Sequence, residues 1–181
     1  STWSEGNDIN TARRVYHTGA GTATAALIAG GYLFTAVAET YDGTSWTEVN
    51  DLNSARYTSG CGTQTAALAV TGQIPPGLSA VVEEYNGTSW TEKADVNTAI
   101  RRNPATGTTT AALKFAGTPP GTTALTEQFD GTSWTEVGDL NNGRTDPAGA
   151  GTSTLALCYG GAPYDSKTEA WNGTSWTEIA N

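Results

Sequence analysis

The hexapeptide Gly-Thr-Ser-Trp-Thr-Glu stands four times in this 181-residue chain, at 43–48, 87–92, 131–136 and 173–178, and a reduced copy, Thr2-Trp3-Ser4-Glu5, opens it. The marker tryptophans Trp3, Trp46, Trp90, Trp134 and Trp176 lie 43, 44, 44 and 42 residues apart. That period excludes heptads and short solenoid turns and suits the blade of a β-propeller, a unit that cannot bury its own faces and must stack on its neighbours. The repeat runs end to end without a linker. The chain therefore reads as one propeller domain over 1–181, with repeats at about 11–50, 54–94, 98–138 and 142–180 and residues 1–10 as a closing outer strand.

Composition narrows the class. Three Lys and no Met beside 22 Gly, seven Pro and abundant Thr suit many short strands and tight turns, so the expectation is all-β. Nine basic against 18 acidic residues give a net charge of −9, which repels a nucleic-acid backbone or an anionic membrane. No apolar run approaches the roughly 18–20 residues of a membrane span, and the first residues do not follow the charged-then-apolar order of a secretion signal. Nucleic acid and membrane insertion are not expected. Cys61 and Cys158 fall at unlike places in their repeats, which argues for two buried thiols rather than a disulfide framework.

Within a period the turn signals mark four strands. Asp42-Gly43, Asn86-Gly87, Asp130-Gly131 and Asn172-Gly173 separate β-rich segments and read as two-residue type I′ hairpins. A second punctuation, Gly21-Thr22-Ala23-Thr24 and its equivalents at 62–65, 107–110 and 151–154, precedes a short apolar run of the kind covered on both faces. The first repeat then comprises an inner strand A at about 13–20, B at 24–29, C at 35–41 and an outer D at 45–50, a four-stranded meander. Small residues in the inner strands, such as Thr58-Ser59-Gly60-Cys61 and Pro147-Ala148-Gly149-Ala150, suit the crowded axis of a four-bladed ring. The segment around Trp3 is one outer strand too many for four blades. It is expected to add beside 175–180 and close the ring, or else to pair with a neighbouring subunit.

Each period also carries an Arg about ten residues after its Trp, a Gly or Gly-Gly closing strand B, an aromatic-Asp/Asn-Gly and then the next Trp: Arg56, Gly72, Tyr85-Asn86 and Trp90, or Arg144, Gly160-Gly161, Trp171-Asn172 and Trp176. That order resembles the kelch repeat over the whole chain. It departs in the single Gly72 and Gly117, in a period near 44 rather than about 50 residues, and in the small number of repeats. The near-verbatim copies are similar to kelch-like repeat proteins of marine bacteriophages, described as virion- or tail-associated. The resemblance implies a virion or extracellular location, with other virion or surface proteins as partners.

Residues that recur with the fold read as structure. The aromatic set Trp3, Trp46, Trp90, Trp134 and Trp176 with Tyr41, Tyr85, Phe129 and Trp171 is expected to wedge neighbouring blades together, each ring burying roughly 150–250 Å². The alternative is a sugar-stacking platform in every blade, as in a propeller lectin that binds host glycans. Arg14, Arg56, Arg101 and Arg144 recur near the start of strand A and Glu39, Glu83, Glu127 and Glu169 seven residues before each Trp. They read as blade-to-blade ties, with an anion-binding Arg ring as the alternative. Asp8, Asp51, Asp95 and Asp139 lack the dense spacing of a calcium loop, so no metal and no cofactor are expected. The sole His17 has no repeated partner and neither Cys has a Cys-x-x-Cys or Cys-His spacing, so the chain is not expected to be an enzyme.

What varies between repeats points to contact with partners. The B-to-C connections differ in every repeat and fall on one face of a meander. Their tips supply the candidate binding residues Tyr32, Leu33, Ile74, Pro75, Pro76, Leu78, Pro119, Pro120, Pro163 and Tyr164. A non-catalytic binding or structural module is the expected function.

Overall fold

The computed structural model describes residues 4–15, 17–118, 121–163 and 166–179. Four sheets follow one another along the chain. The first blade holds β1 (Ala20–Thr22), β2 (Ala25–Ala29), β3 (Ala38–Tyr41) and β4 (Trp46–Val49), and the second β5 (Tyr57–Gly62), β6 (Ala67–Ile74), β7 (Gly77–Tyr85) and β8 (Trp90–Lys93). The third holds β9 (Ala105–Thr108), β10 (Ala111–Phe115), β11 (Thr126–Phe129) and β12 (Trp134–Glu136), and the fourth β13 (Ala148–Gly151), β14 (Ala156–Tyr159), β15 (Thr168–Trp171) and β16 (Trp176–Ile179). Each sheet is antiparallel with its strands in chain order, and the described residues contain no helix. This is the all-β, four-bladed propeller arrangement.

Glycine fixes the A-to-B hairpin. Gly21, Gly62, Gly107 and Gly151 have φ between 108° and 127°. A Cβ at these positions would stand only 2.1–2.3 Å from the carbonyl oxygen of Ala25, Ala66, Ala111 or Leu155, so no other residue fits. The C-to-D turn differs from the two-residue expectation. Tyr41 pairs with Trp46, Tyr85 with Trp90, Phe129 with Trp134 and Trp171 with Trp176, which leaves four-residue loops. In the first, Asp42 Oδ1 accepts the Thr44 and Ser45 N–H groups at 2.8 Å, and only Gly43 of the loop takes positive φ. The Asx side chain closes the turn in place of a second left-handed residue.

Strand B sets the joints because its alternate residues face different neighbours. Leu27 and Ala29 of the first blade meet Ala67, Ala69, Tyr85 and Trp90 of the second in one buried cluster. Leu68 and Val70 meet Ala112, Phe129 and Trp134, and Leu113 and Phe115 meet Ala156, Trp171 and Trp176. The connections complete these joints. Leu52, Val96 and Leu140 are buried in the clusters, and their N–H groups donate to Ala36, Ala80 and Ala124 of the blade just left. Among the described residues no such cluster joins the fourth blade to the first.

The first inner strand is shorter than expected, starting at Ala20, although His17 already bridges to Ser59 of the second blade. Residues 4–10 form no strand and do not pair with β16. Asn7 Nδ2 donates to Thr44 O at 2.7 Å, and Asn10 binds Glu39 and Trp46, so the segment lies on the first blade. Trp3 lies outside the described residues. At the inner strands lies a hollow of about 310 Å³ bounded by His17 and by one or two small residues from every blade, Gly19, Gly60, Pro104, Ala105, Ala148 and Gly149.

Candidate functional site

The recurrent charges form a buried tie inside each blade. Glu39, Glu83, Glu127 and Glu169 are at most 1% exposed. Their Oε2 atoms accept the backbone N–H of Asn10, Asn53, Asn97 and Asn141 at 2.7 Å, and the same Asn side chains reach on to the carbonyls of Trp46, Trp90, Trp134 and Trp176. A cation takes Oε1. It is Arg13 at 2.5 Å in the first blade, Arg56 in the second and Arg144 at 2.5 Å in the fourth. The third blade has Ile100 at the equivalent place, and Lys114 reaches across from β10 to Glu127 at 2.7 Å. Lys114 Nζ also donates to Thr98 O, as Arg13 donates to Thr11 O and Arg56 to Ser54 O, so one ammonium stands where the guanidinium nitrogen stands elsewhere.

These ties bind a connection to the blade it enters rather than one sheet to the next. Arg14 and Arg101, read from the sequence as members of the set, are not in it. Burial pushes the Lys114 ammonium down, and Glu127 offsets part of that. Burial alone would raise Glu39, but Arg13 and the Asn10 and Thr11 N–H groups outweigh it and hold the carboxyl below its ordinary range.

Arg14 and Arg101 belong instead to the face of the B-to-C loops. They stand one residue beyond the buried cation position, where the second and fourth blades carry Tyr57 and Thr145. The partners on the loops follow the glycine that closes strand B. Tyr32 N donates to Arg14 O at 2.9 Å, Thr118 N to Arg101 O at 2.9 Å, Ala162 N to Thr145 O at 2.8 Å, and Gln73 pairs with Tyr57. The glycine itself binds onward, Gly31 N to Arg56 O, Gly72 N to Ile100 O and Gly117 N to Arg144 O. The loop base is thus clamped between two connections while its side chains differ from blade to blade: Arg14 with Tyr32, Tyr57 with Gln73, Arg101 with Thr118, Thr145 with Ala162.

The larger of these side chains converge. Tyr32, Phe34, Tyr57, Gln73, Arg101 and Arg102 line a cleft of about 70 Å³, and a wider groove of about 300 Å³ continues past Arg101 to Pro76, Leu78 and Gly121. The Arg14 guanidinium sits 5.3 Å from the Tyr32 ring centroid, Arg101 bonds the Gln73 amide oxygen, and Arg102 pairs with Asp146 at 3.3 Å. Three of the six arginines gather on one face of an acidic chain. Guanidinium groups, aromatic rings and an amide can together hold a carboxylate or a polyhydroxylated group, by bidentate bonding and by stacking.

Of the residues singled out on the loops, Tyr32 and Leu33 are 49% and 78% exposed. Pro75, Pro76, Leu78 and Pro163 are also exposed, and Ile74 is half-buried. Pro119, Pro120 and Tyr164 lie outside the described residues. Phe34, Tyr57, Gln73, Arg101 and Arg102 were not singled out as loop-face residues. For Tyr57, Gln73 and Arg101 the signal is the variation at two fixed positions, one after the strand-B glycine and one after the buried cation; Phe34 and Arg102 lie at neither, and no repeat pattern marks them.

The repeated aromatics take a different place. Trp90, Trp134 and Trp176 are 5–6% exposed and Tyr85, Phe129 and Trp171 1–2%, each pair with ring centroids 5.0–5.4 Å apart. Tyr41 and Trp46 of the first blade, 5.1 Å apart, are only half-buried. Cys61 and Cys158 are buried and in no disulfide, and burial pushes the Cys61 thiol up to about 12. His17, beside the axis, is pushed down by burial, with the Asp146 charge opposing. Among the described residues no group of three His, Cys, Asp or Glu is placed to hold a metal ion. No protein-family model matches this chain, and no curated protein was found similar to it.

Proposed function

We propose that this chain is a non-catalytic binding module, displayed on a virion or otherwise outside a cell, that contacts protein or host-surface groups through its B-to-C loop face. One observation carries the reading. The positions that vary from blade to blade are paired at the loop bases, and four of the eight, Tyr32, Tyr57, Gln73 and Arg101, line one cleft on a scaffold that otherwise repeats. The likeness of the repeats to phage kelch-like proteins supports display on a particle. A lectin with one site per blade is the weaker reading, because the aromatic pairs that would stack on sugars are packed inside the joints of the second, third and fourth blades.

The test is a fluorescent chain applied to arrayed glycans and purified bacterial envelope components, with stoichiometry read by native mass spectrometry. Binding at one site per chain is expected, lost in Arg101→Ala without change in melting temperature. Sugar bound at several sites per chain, or binding that Arg101→Ala leaves intact, would overturn it.

A further inference from the structure

The last blade presents a face that its three sisters bury. Leu157 is 39% exposed, whereas Leu27, Leu68 and Leu113 at the same place are at most 1%. Tyr159 is 41% exposed, against at most 3% for Ala29, Val70 and Phe115. Leu155 and Ile179 extend the patch, and a hollow of about 340 Å³ opens over Leu155, Leu157 and Ala170. Among the described residues nothing covers it.

The first blade presents the other half of the same joint. Its Ala26, Tyr41 and Trp46 are half-buried, where the equivalents in the later blades are packed against the blade before. The incoming segment already lies on this blade as a connection does. Asn7 Nδ2 bonds Thr44 O as Asn50 Nδ2 bonds Thr88 O, and Asn10 bonds Glu39 as Asn53 bonds Glu83. Three formed joints therefore show how two such faces fit, and among the described residues each chain carries one unmatched face of each kind.

We propose that the fourth blade of one copy seats the first blade of a second copy, head to tail, in a fourth joint of the same design. The contact is heterologous, so it either closes a ring of copies or propagates. Tyr159 and Leu157 of one copy meet Ala26, Tyr41 and Trp46 of the next. The interface differs from one made by residues 1–8, which a shortened chain would lose.

Two face variants test it, Leu157→Glu on the donor side and Ala26→Arg on the receiver side, with Leu155→Lys as a milder donor-side change at a 66% exposed position. Sedimentation and native mass spectrometry across two decades of concentration should show assembly of the wild-type chain and monomers for either variant alone, with circular dichroism unchanged. Mixing the two variants restores one intact contact and should yield a one-to-one dimer. Wild-type chain that stays monomeric throughout would overturn the proposal. If Leu157→Glu melted lower than the wild-type chain with both diluted to monomers, closure within one chain would be the reason and the proposal would fall. Assembly that survives both substitutions would equally overturn it.

Discussion

At the residue scale, the end of strand B shows how a motif can persist after its residues change. Gly30, Thr71, Ala116 and Gly160 all take φ between 57° and 67°, each followed by a glycine at φ between 101° and 147°. Two of the four first positions are not glycine, yet they take the same left-handed geometry, at a cost of about 1–2 kcal/mol for an L-residue. The second glycine has no such latitude, because a Cβ on Gly72 would stand 1.8 Å from Tyr57 O, whereas one on Gly160 meets nothing within 4 Å. Gly160→Ala should therefore cost about 1 kcal/mol, as Ala116 already tolerates. Gly72→Ala should cost about 3 kcal/mol or more. Thermal melts separate the two, since each kcal/mol moves the midpoint of a domain this size by about 2–4 °C. Equal shifts would show that the loop base relaxes around either methyl.

At the element scale, the buried tie explains both what could be read from the sequence and what could not. Strand number, order and the C-to-D pairing were legible because the repeat aligns every apolar run and every turn signal four times. The turn type was not, because Asp-Gly marks a two-residue I′ turn and an Asx-closed four-residue loop alike. The partners of the four glutamates were half legible. Arg56 and Arg144 stand where expected, but the adjacent Arg13 and Arg14 hide which one is buried, and nothing in the local pattern around Ile100 announces that a Lys on another strand supplies the charge. This exchange is testable as a cycle. Lys114→Ala leaves Glu127 buried without its cation and should cost about 3–5 kcal/mol. Ile100→Arg in that background recreates the second blade, where Arg56 stands over Ala69, and should recover more than half of the loss, a coupling of ~2 kcal/mol. Additive losses in the double variant would mean that the third blade cannot accept the guanidinium route.

At the scale of the whole molecule, the blades are alike in sheet topology but unlike in support. Among the described residues, the second and third each pack on two neighbours through buried clusters, the first and fourth on one. Stability in a stacked array is roughly a sum of unit and joint terms, so a blade with one joint opens at lower free energy than a blade with two. The strands bear the mark of this. Residues of β6 and β10 are mostly buried, while those of β14 alternate between buried and exposed. Hydrogen exchange on the wild-type chain diluted to its monomer should therefore find the slowest amides in β6 and β10. Those of β2 and β14 should exchange at least about tenfold faster, the factor that 1.4 kcal/mol supplies. Raising the concentration should slow β2 and β14 together and leave β6 and β10 nearly unchanged, because a head-to-tail contact adds a joint at both ends at once. Uniform protection around the four blades at every concentration would show that the fourth blade meets the first within one chain, and the end blades would then lose their distinct status.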